Sequence, residues 1–254
     1  MCPDKRQHRG AHPEDKRLFE SARLPALRQA NAELSWLLSR EYALKSSLKL
    51  VGDRHNLSER QRLALSRAAC SDTSLKKRAA NCLPLSKASA QHLIIDGFNL
   101  IITIEAALGG GPLLICRDDC IRDLSGVHGS YRSVQETEKA IRLIGEALAV
   151  LNPASVEWLL DRPISNSGRL SARIIELARE HAWPWTVEVI FNPDTTLISS
   201  DKIIVTSDSA VLDAAGRWIN LNAYLIKEHL AESWLIDLRP SAAQERHDPS
   251  KVFR

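Results

Sequence analysis

The chain has 254 residues, 44% hydrophobic and 26% charged, with a formal net charge of +3. This is the composition of an ordinary folded protein, long enough for one large domain or two small ones. No run approaches 18 consecutive apolar residues, which excludes a membrane-spanning helix, and the basic start "MCPDKRQHRG" lacks the apolar core of an export signal.

Residues 1–13 carry Pro3, Gly10 and Pro13 among charges and read as a loose arm. From residue 14 apolar residues recur at helical spacing, with Leu27, Ala30, Leu34, Leu37 and Leu38 on one stripe and Trp36 at core spacing among them. Pro25 suits an early helical position. Gly52 reads as a break. Ser58 with Gln61 three residues later predicts a capped second helix over 59–70, bearing Arg60, Arg62 and Arg67. The polar, small-residue stretch "DTSLKKRAANCLPLSKASA" reads as linker, so a helical module ends near 80 and the linker proper covers 81–90. Up to residue 90 the chain holds 18 Lys+Arg against 9 Asp+Glu; from 91 onward it holds 16 against 22. A basic helical module thus precedes an acidic remainder.

The remainder alternates. "HLIIDGF" and "LLICRD" read as strands, "SVQETEKAIRLIGEALAVL" as an amphipathic helix ending at Asn152, and "SVEWLLD" as a strand. Then come the helix "SGRLSARIIELAREHA", the strand "TVEVIFN", "KIIVTSDSAVLDAA" as strand running into helix, the short strand "RWINL" and the helix "NAYLIKEHLAES". Strands separated by helices of this length predict an α/β domain over 91–236, its sheet flanked by helices, before a polar tail at 237–254. The five cysteines form no CxxC pair, and no second Cys/His pair completes a zinc set with Cys116 and Cys120. Reduced thiols and a cytoplasmic location are expected.

Three apolar strands finish on an aspartate: Asp96, Asp161 and Asp208. Strand interiors disfavour this residue, and ligands of α/β sheets bind beyond the carboxyl ends of parallel strands. Each acid is also suited to cap the helix that follows it. If the strands are neighbours, the carboxylates converge, repel and raise one another's pKa. A hard cation with oxygen ligands, Mg²⁺ or Mn²⁺, removes the conflict, and phosphoryl transfer is the chemistry that follows. Asp118 and Asp119 stand at a further strand end as additional metal candidates. Asn99 is placed to ligate or to orient a water, and Ser207 to bind a phosphate oxygen.

"IIDGFNLI" resembles the first strand of PIN-like nucleases, particularly their NYN branch, and "IIVTSDSAVLD" is similar to their later strand. The resemblance implies a PIN-like parallel sheet and a metal-dependent nuclease acting chiefly on RNA. It implies that Asp96 and Asp208 bind metal, that Asn99 and Ser207 neighbour the site, and that Glu138 or Glu136 on the following helix adds an acid. Asp161 fits by strand position. "RGAHPEDKRLFE", "LSWLLSREYALKSSLKLVGDRHNLSERQRLALSRAACSD" and "DRPISNSGRLS" resemble the uncharacterised prokaryotic family called domain of unknown function 434, across most of the chain.

Ser165, Asn166, Ser167 and Arg169 lie ahead of a helix and suit a phosphate, although a capped loop with a surface arginine reads equally well. "GVHGSYR" reads as a mobile turn or as a lid with His128 and a base-stacking Tyr131. Arg60 and Arg67 share a helix face that either tracks a nucleic-acid backbone or packs against the acidic part. The expected function is therefore hydrolysis of phosphodiesters, RNA before DNA. The alternatives are a non-catalytic nucleic-acid or protein-binding module and a metal-dependent phosphatase for small substrates.

Overall fold

A computed structural model of the chain describes residues 8–125 and 131–241. The first part is all helical: α1 (Asp15–Leu18), α2 (Leu24–Leu38), α3 (Leu44–Arg54), α4 (Glu59–Ala68) and α5 (Asp72–Asn81). The expected stripe on α2 is the buried one, with Leu27, Ala30 and Leu34 inside and Leu37 and Leu38 packed beside them, and Trp36 half-buried. Ser58 and Gln61 form the full reciprocal capping box of α4.

Two expectations for this part need correction. Gly52 does not break the chain. It sits within α3, where a Cβ would meet the Arg62 guanidinium. The stretch read as linker begins with the helix α5, capped by Ser71 on the Ser74 amide. Its inward anchor is Arg78, a charged residue only 3% exposed, so a search for apolar periodicity passes over it.

The α/β part follows as β1 (His92–Asp96), α6 (Gly97–Leu108), β2 (Leu113–Ile115), β3 (Ile121–Asp123), α7 (Glu136–Leu151), β4 (Ser155–Asp161), α8 (Ser167–Glu180), β5 (Trp185–Ile190), α9 (Pro193–Ser199), β6 (Ile203–Val205), α10 (Ser209–Ala214), β7 (Trp218–Ile219), α11 (Leu221–His229) and β8 (Leu235–Asp237). Five strands form a parallel sheet in the order β5-β4-β1-β6-β7. The remaining three form a small sheet, β3-β2-β8, in which β2 and β3 make an antiparallel hairpin.

Side-chain alternation divides the parallel sheet into two apolar faces. Leu93, Ile95, Trp158, Leu160, Ile203 and Val205 face α6, α7, α8 and α11. Ile94, Leu159 and Ile204 face α9 and α10. The small sheet lies between α6 and the helical part: Leu113 and Ile121 join the first core, whereas Leu114, Cys116 and Ile236 share a core with Leu27, Leu34 and Leu65. The helical part is thus built onto the α/β part through a common apolar interior.

The chain leaves β1 for β4 and β5, then returns to the other side of β1 for β6 and β7. The helix after β1 covers one face and the helix after β6 covers the other. The strand order reverses between β1 and β6, and such a reversal opens a crevice at the carboxyl edge. Gly97 lets β1 turn into α6 here. A Cβ at this position would lie 2.9 Å from the Leu159 carbonyl oxygen and 2.7 Å from Leu160 Cδ2. Gly97→Ala is expected to cost about 1–3 kcal/mol by overpacking. Gly168→Ala, where nothing lies within 4 Å, should be neutral or mildly stabilising. Urea unfolding of the two variants checks the contrast.

Candidate functional site at the strand-order reversal

Asp96 ends β1 and caps α6, accepting from the Asn99 amide at 3.4 Å. Its other oxygen accepts from Thr206 Oγ1 at 2.9 Å. Alternation carries Asp96 and Asp161 onto the face of Ile94 and Leu159, the side covered by α9 and α10. Asp208 caps α10, accepting from the Ala210 and Val211 amides at 2.8 and 3.1 Å. Because β1 and β6 are adjacent, Asp96 and Asp208 share one edge, and capping and clustering are compatible duties of the same carboxylates.

A fourth acid completes the group. Asp194, in the first turn of α9, has its carboxyl raised by partial burial and then by Asp208 and Asp161. Sequence reading passed over it, although "FNPDTT" carried the signal: proline at a helix start with an acid in the first turn, directly after a strand. Burial pushes Asp96 up to about 7; the bonds from Thr206 and Asn99 oppose this, and Asp208 and Asp194 add to it.

Beneath the acids lies a polar lock. Asn99 Oδ1 accepts from the Ser207 amide at 2.8 Å and from Ser207 Oγ at 2.9 Å. Asn222 Nδ2 donates to the same hydroxyl at 3.2 Å. Ser207 is fully buried, so it joins α6, α11 and the β6–α10 loop rather than facing the crevice.

Other residues singled out from the sequence stand apart from this group. Asp118, in the β2–β3 turn, accepts from Arg122 Nη1 and Nη2 at 2.9 and 2.6 Å and from Arg78 Nη1 at 2.5 Å. Burial alone would raise its carboxyl, but the two guanidinium groups outweigh it and hold the pKa at about 2. Asp119 is exposed, pairs with Arg239 at 2.9 Å and borders an open depression of about 490 Å³ with Arg28 and Arg117. Glu138 is exposed on α7 and pairs with Arg142 and Arg173, whereas Glu136 is buried and pairs with His8.

Arg60 donates to both oxygens of Asp15 and to the Leu124 carbonyl. Arg67 donates to the carbonyls of Asp123 and Ser125. These guanidinium groups brace the protein internally. Asn166 adopts a left-handed conformation, and its amide donates to the Tyr131 carbonyl at 2.7 Å. Ser165 and Arg169 beside it are exposed and Ser167 is buried, on the edge where β4 ends. Tyr131 is buried, its hydroxyl donating to Glu105 at 2.6 Å, so it is no stacking lid. His128 lies outside the described residues.

Among the described residues, no group of three or more His, Cys, Asp or Glu side chains is arranged to hold a metal ion. The donor set at the crevice is nevertheless one of hard oxygens. Mg²⁺ keeps several waters and is commonly held by only one or two carboxylates. Asp96 and Asp208 fit a hydrated ion of that kind better than a closed protein cage.

The molecule is thus an α/β protein with a group of acids at the edge where its strand order reverses, joined to a helical module. Residues 85–224 match the family model described as "Domain of unknown function (DUF5616)", and the chain belongs to that family. Residues 26–80 match "Protein of unknown function (DUF434)". The expected resemblance to that second family is therefore found in the helical module, not across most of the chain. The chain is 29% identical over 187 residues to Uncharacterized protein MJ0935 of Methanocaldococcus jannaschii, covering 74% of this chain and 89% of that protein. No solved structure gives a significant match.

Asp118→Ala should destabilise the protein by about 3–5 kcal/mol, because it leaves the buried Arg122 without its carboxylate and Arg78 with Asp213 alone. A carboxyl depressed from 3.8 to about 2 adds stability that is complete above 3.8 and lost as pH falls toward 2. The variant should lack that acid limb in unfolding measured between pH 5 and 2. Asp96 has the opposite sign. Its carboxyl is raised from 3.8 to about 7, so the metal-free protein should lose stability as pH climbs from about 4 to about 7 and regain none above. Asp96→Asn should flatten that slope in melting curves.

Proposed function

We propose that this protein is a cytoplasmic, divalent-metal-dependent nuclease that hydrolyses phosphodiester bonds, with RNA preferred over DNA. One observation carries the reading: Asp96 stands half-buried at the strand-order reversal with Asp208 and Asp194 as its acidic neighbours. A protein gains nothing in stability from gathering like charges in a half-buried crevice, and such clusters mark working sites. The resemblance of "IIDGFNLI" and "IIVTSDSAVLD" to PIN-like nucleases supports a PIN-like assignment of the sheet and the choice of RNA.

Asp96 and Asp208 would hold Mg²⁺ or Mn²⁺, with Asp161 and Asp194 beside them. Such an ion lowers the pKa of a bound water and shields charge developing on phosphate. The chain's own residues supply orientation. Thr206 and the Asn99 amide fix the Asp96 carboxylate, and the α10 amides fix Asp208. Asn99 holds the loop carrying Asp208 against α6 through Ser207. Ser165, Asn166 and Arg169, next to Asp161, are the residues in reach of a substrate phosphate on that side. Arg60 and Arg67, engaged internally, are left out of the substrate surface.

Mn²⁺ should raise the melting temperature of the wild type by mass action and leave Asp96→Asn unmoved. The same substitution should cut metal-dependent cleavage of labelled RNA at least about a hundredfold, since one electrostatic contact at a reacting centre is worth roughly 2.7–4 kcal/mol. Chelator should abolish cleavage by the wild type. If the wild type cleaves neither RNA nor DNA under any metal, the non-catalytic binding module replaces the nuclease.

A further inference from the structure

The strands that carry Asp161 and lead to Asp194 also carry a pair the proposed chemistry does not use. Phe191 follows β5 and Arg162 follows β4. Asp161 pairs with Ile190 in the ladder and the Arg162 amide donates to the Ile190 carbonyl at 2.8 Å, so the two side chains leave the edge together. The Arg162 guanidinium carbon lies 5.1 Å from the centre of the Phe191 ring. Both residues are exposed, Phe191 at 63%. Leaving a large aromatic ring open to water at the carboxyl edge of a parallel sheet forfeits roughly 1.5–3 kcal/mol of burial. The other strongly exposed large apolar residues, such as Tyr42, Leu50 and Val150, stand on or beside helices of the fold and not on this edge.

We infer that Phe191 and Arg162 form a platform on which one unpaired nucleobase stacks, so that the protein takes single-stranded nucleic acid. The inference rests on the nuclease reading for its choice of substrate and adds the strandedness. Aromatic rings accept any base by stacking, and the Arg162 guanidinium over the Phe191 ring adds a cation that suits base and phosphate alike. A paired base has its faces covered by its neighbours, whereas an unpaired one is free to stack on a side chain.

The platform stands at the same strand ends as two of the acids. Asp161 precedes Arg162 directly, and Asp194 is three residues after Phe191, which limits their separation to about 11 Å along the chain. The surroundings favour a base over a protein partner. Asn192, Asp194, Thr195 and Thr196, which follow the ring in the chain, are polar and exposed. A lone ring among them offers the area of one base, far below the roughly 800 Å² per side of a stable protein interface.

The test is equilibrium binding of fluorescein-labelled RNA in the Asp96→Asn background with Mn²⁺. The probes are a single strand, its duplex, and a strand with abasic sites. Phe191→Ala should weaken single-strand binding about tenfold, in line with the loss of one base–aromatic stack. Phe191→Trp should retain it, Arg162→Ala should weaken it, and the duplex and abasic strand should change less than about twofold. Melting curves confirm that the exposed substitutions leave the fold intact. Single-strand affinity within twofold of the parent, or an equal loss for duplex and single strand, overturns the platform. So does a Phe191→Ala protein that changes its oligomeric state, which would make the ring a contact between copies. If the wild type binds as expected but cleaves nothing, the nuclease reading falls and the platform stands. If the wild type cleaves single strands with a KM that Phe191→Ala leaves unchanged, the platform alone falls.

Discussion

The ion cluster Arg78–Asp118–Arg122 is the constraint on which the site depends. All three residues are at most 9% exposed. Arg78 comes from α5, and Asp118 and Arg122 come from the β2–β3 hairpin. Beyond Asp118, Arg122 donates to the carbonyls of Ser207 and Arg67, and Arg78 donates to the carbonyl of Ser209 and the carboxylate of Asp213. The two arginines therefore grip the backbone on either side of Asp208. Replacing such a cluster with apolar residues of like volume need not cost stability, but removing one member does. Its use here is positional: it fixes where Asp208 stands.

That arrangement explains why the helical module and the α/β part belong to one molecule. The module supplies Arg78 and the Arg67 carbonyl to the back of the site, and its apolar stripe shares a core with the small sheet. The Trp218 indole donates to the Arg78 carbonyl at 2.9 Å, adding β7 to the same junction. The basic character of the first ninety residues, which suggested a nucleic-acid surface, is in good part the internal complement of the acidic remainder. Arg9 donates to Glu105, Arg67 to the carbonyls of Asp123 and Ser125, and Arg78 to Asp118 and Asp213.

The carboxylates at the crevice perform two tasks with one geometry. An aspartate that caps the helix after a strand is held in one orientation by backbone amides. Asp96 and Asp208 are of this kind. Gly97 is required beside Asp96 because the Leu159 carbonyl occupies the space a Cβ would need. The Asp-Gly-Phe-Asn sequence is thus explained locally: an acid to cap, a glycine to clear the neighbouring strand, and an amide to hold Ser207.

Legible in local sequence are the main alternation of strands and helices, the α2 stripe, the Ser58–Gln61 box and the strand ends at Asp96 and Asp161; β6 stops at Val205, so Asp208 is not a strand end but the cap of α10. Each of these depends on residues within a few positions of one another, through side-chain period or capping. Tertiary structure decided what depends on partners far along the chain. Asp118 looked like the other strand-end acids, but it lies between guanidinium groups from residues 78 and 122, and no local pattern announces a partner 40 residues away. Helix α5 was hidden for the same reason, because its buried anchor is a charge whose counter-ions are remote. Asp194 joins the cluster because α9, which follows β5 at the edge of the sheet, packs back over β4 and β1 against α10. Strand order is set by how apolar faces are shared among distant elements, and that sharing is written in no single stretch of the chain.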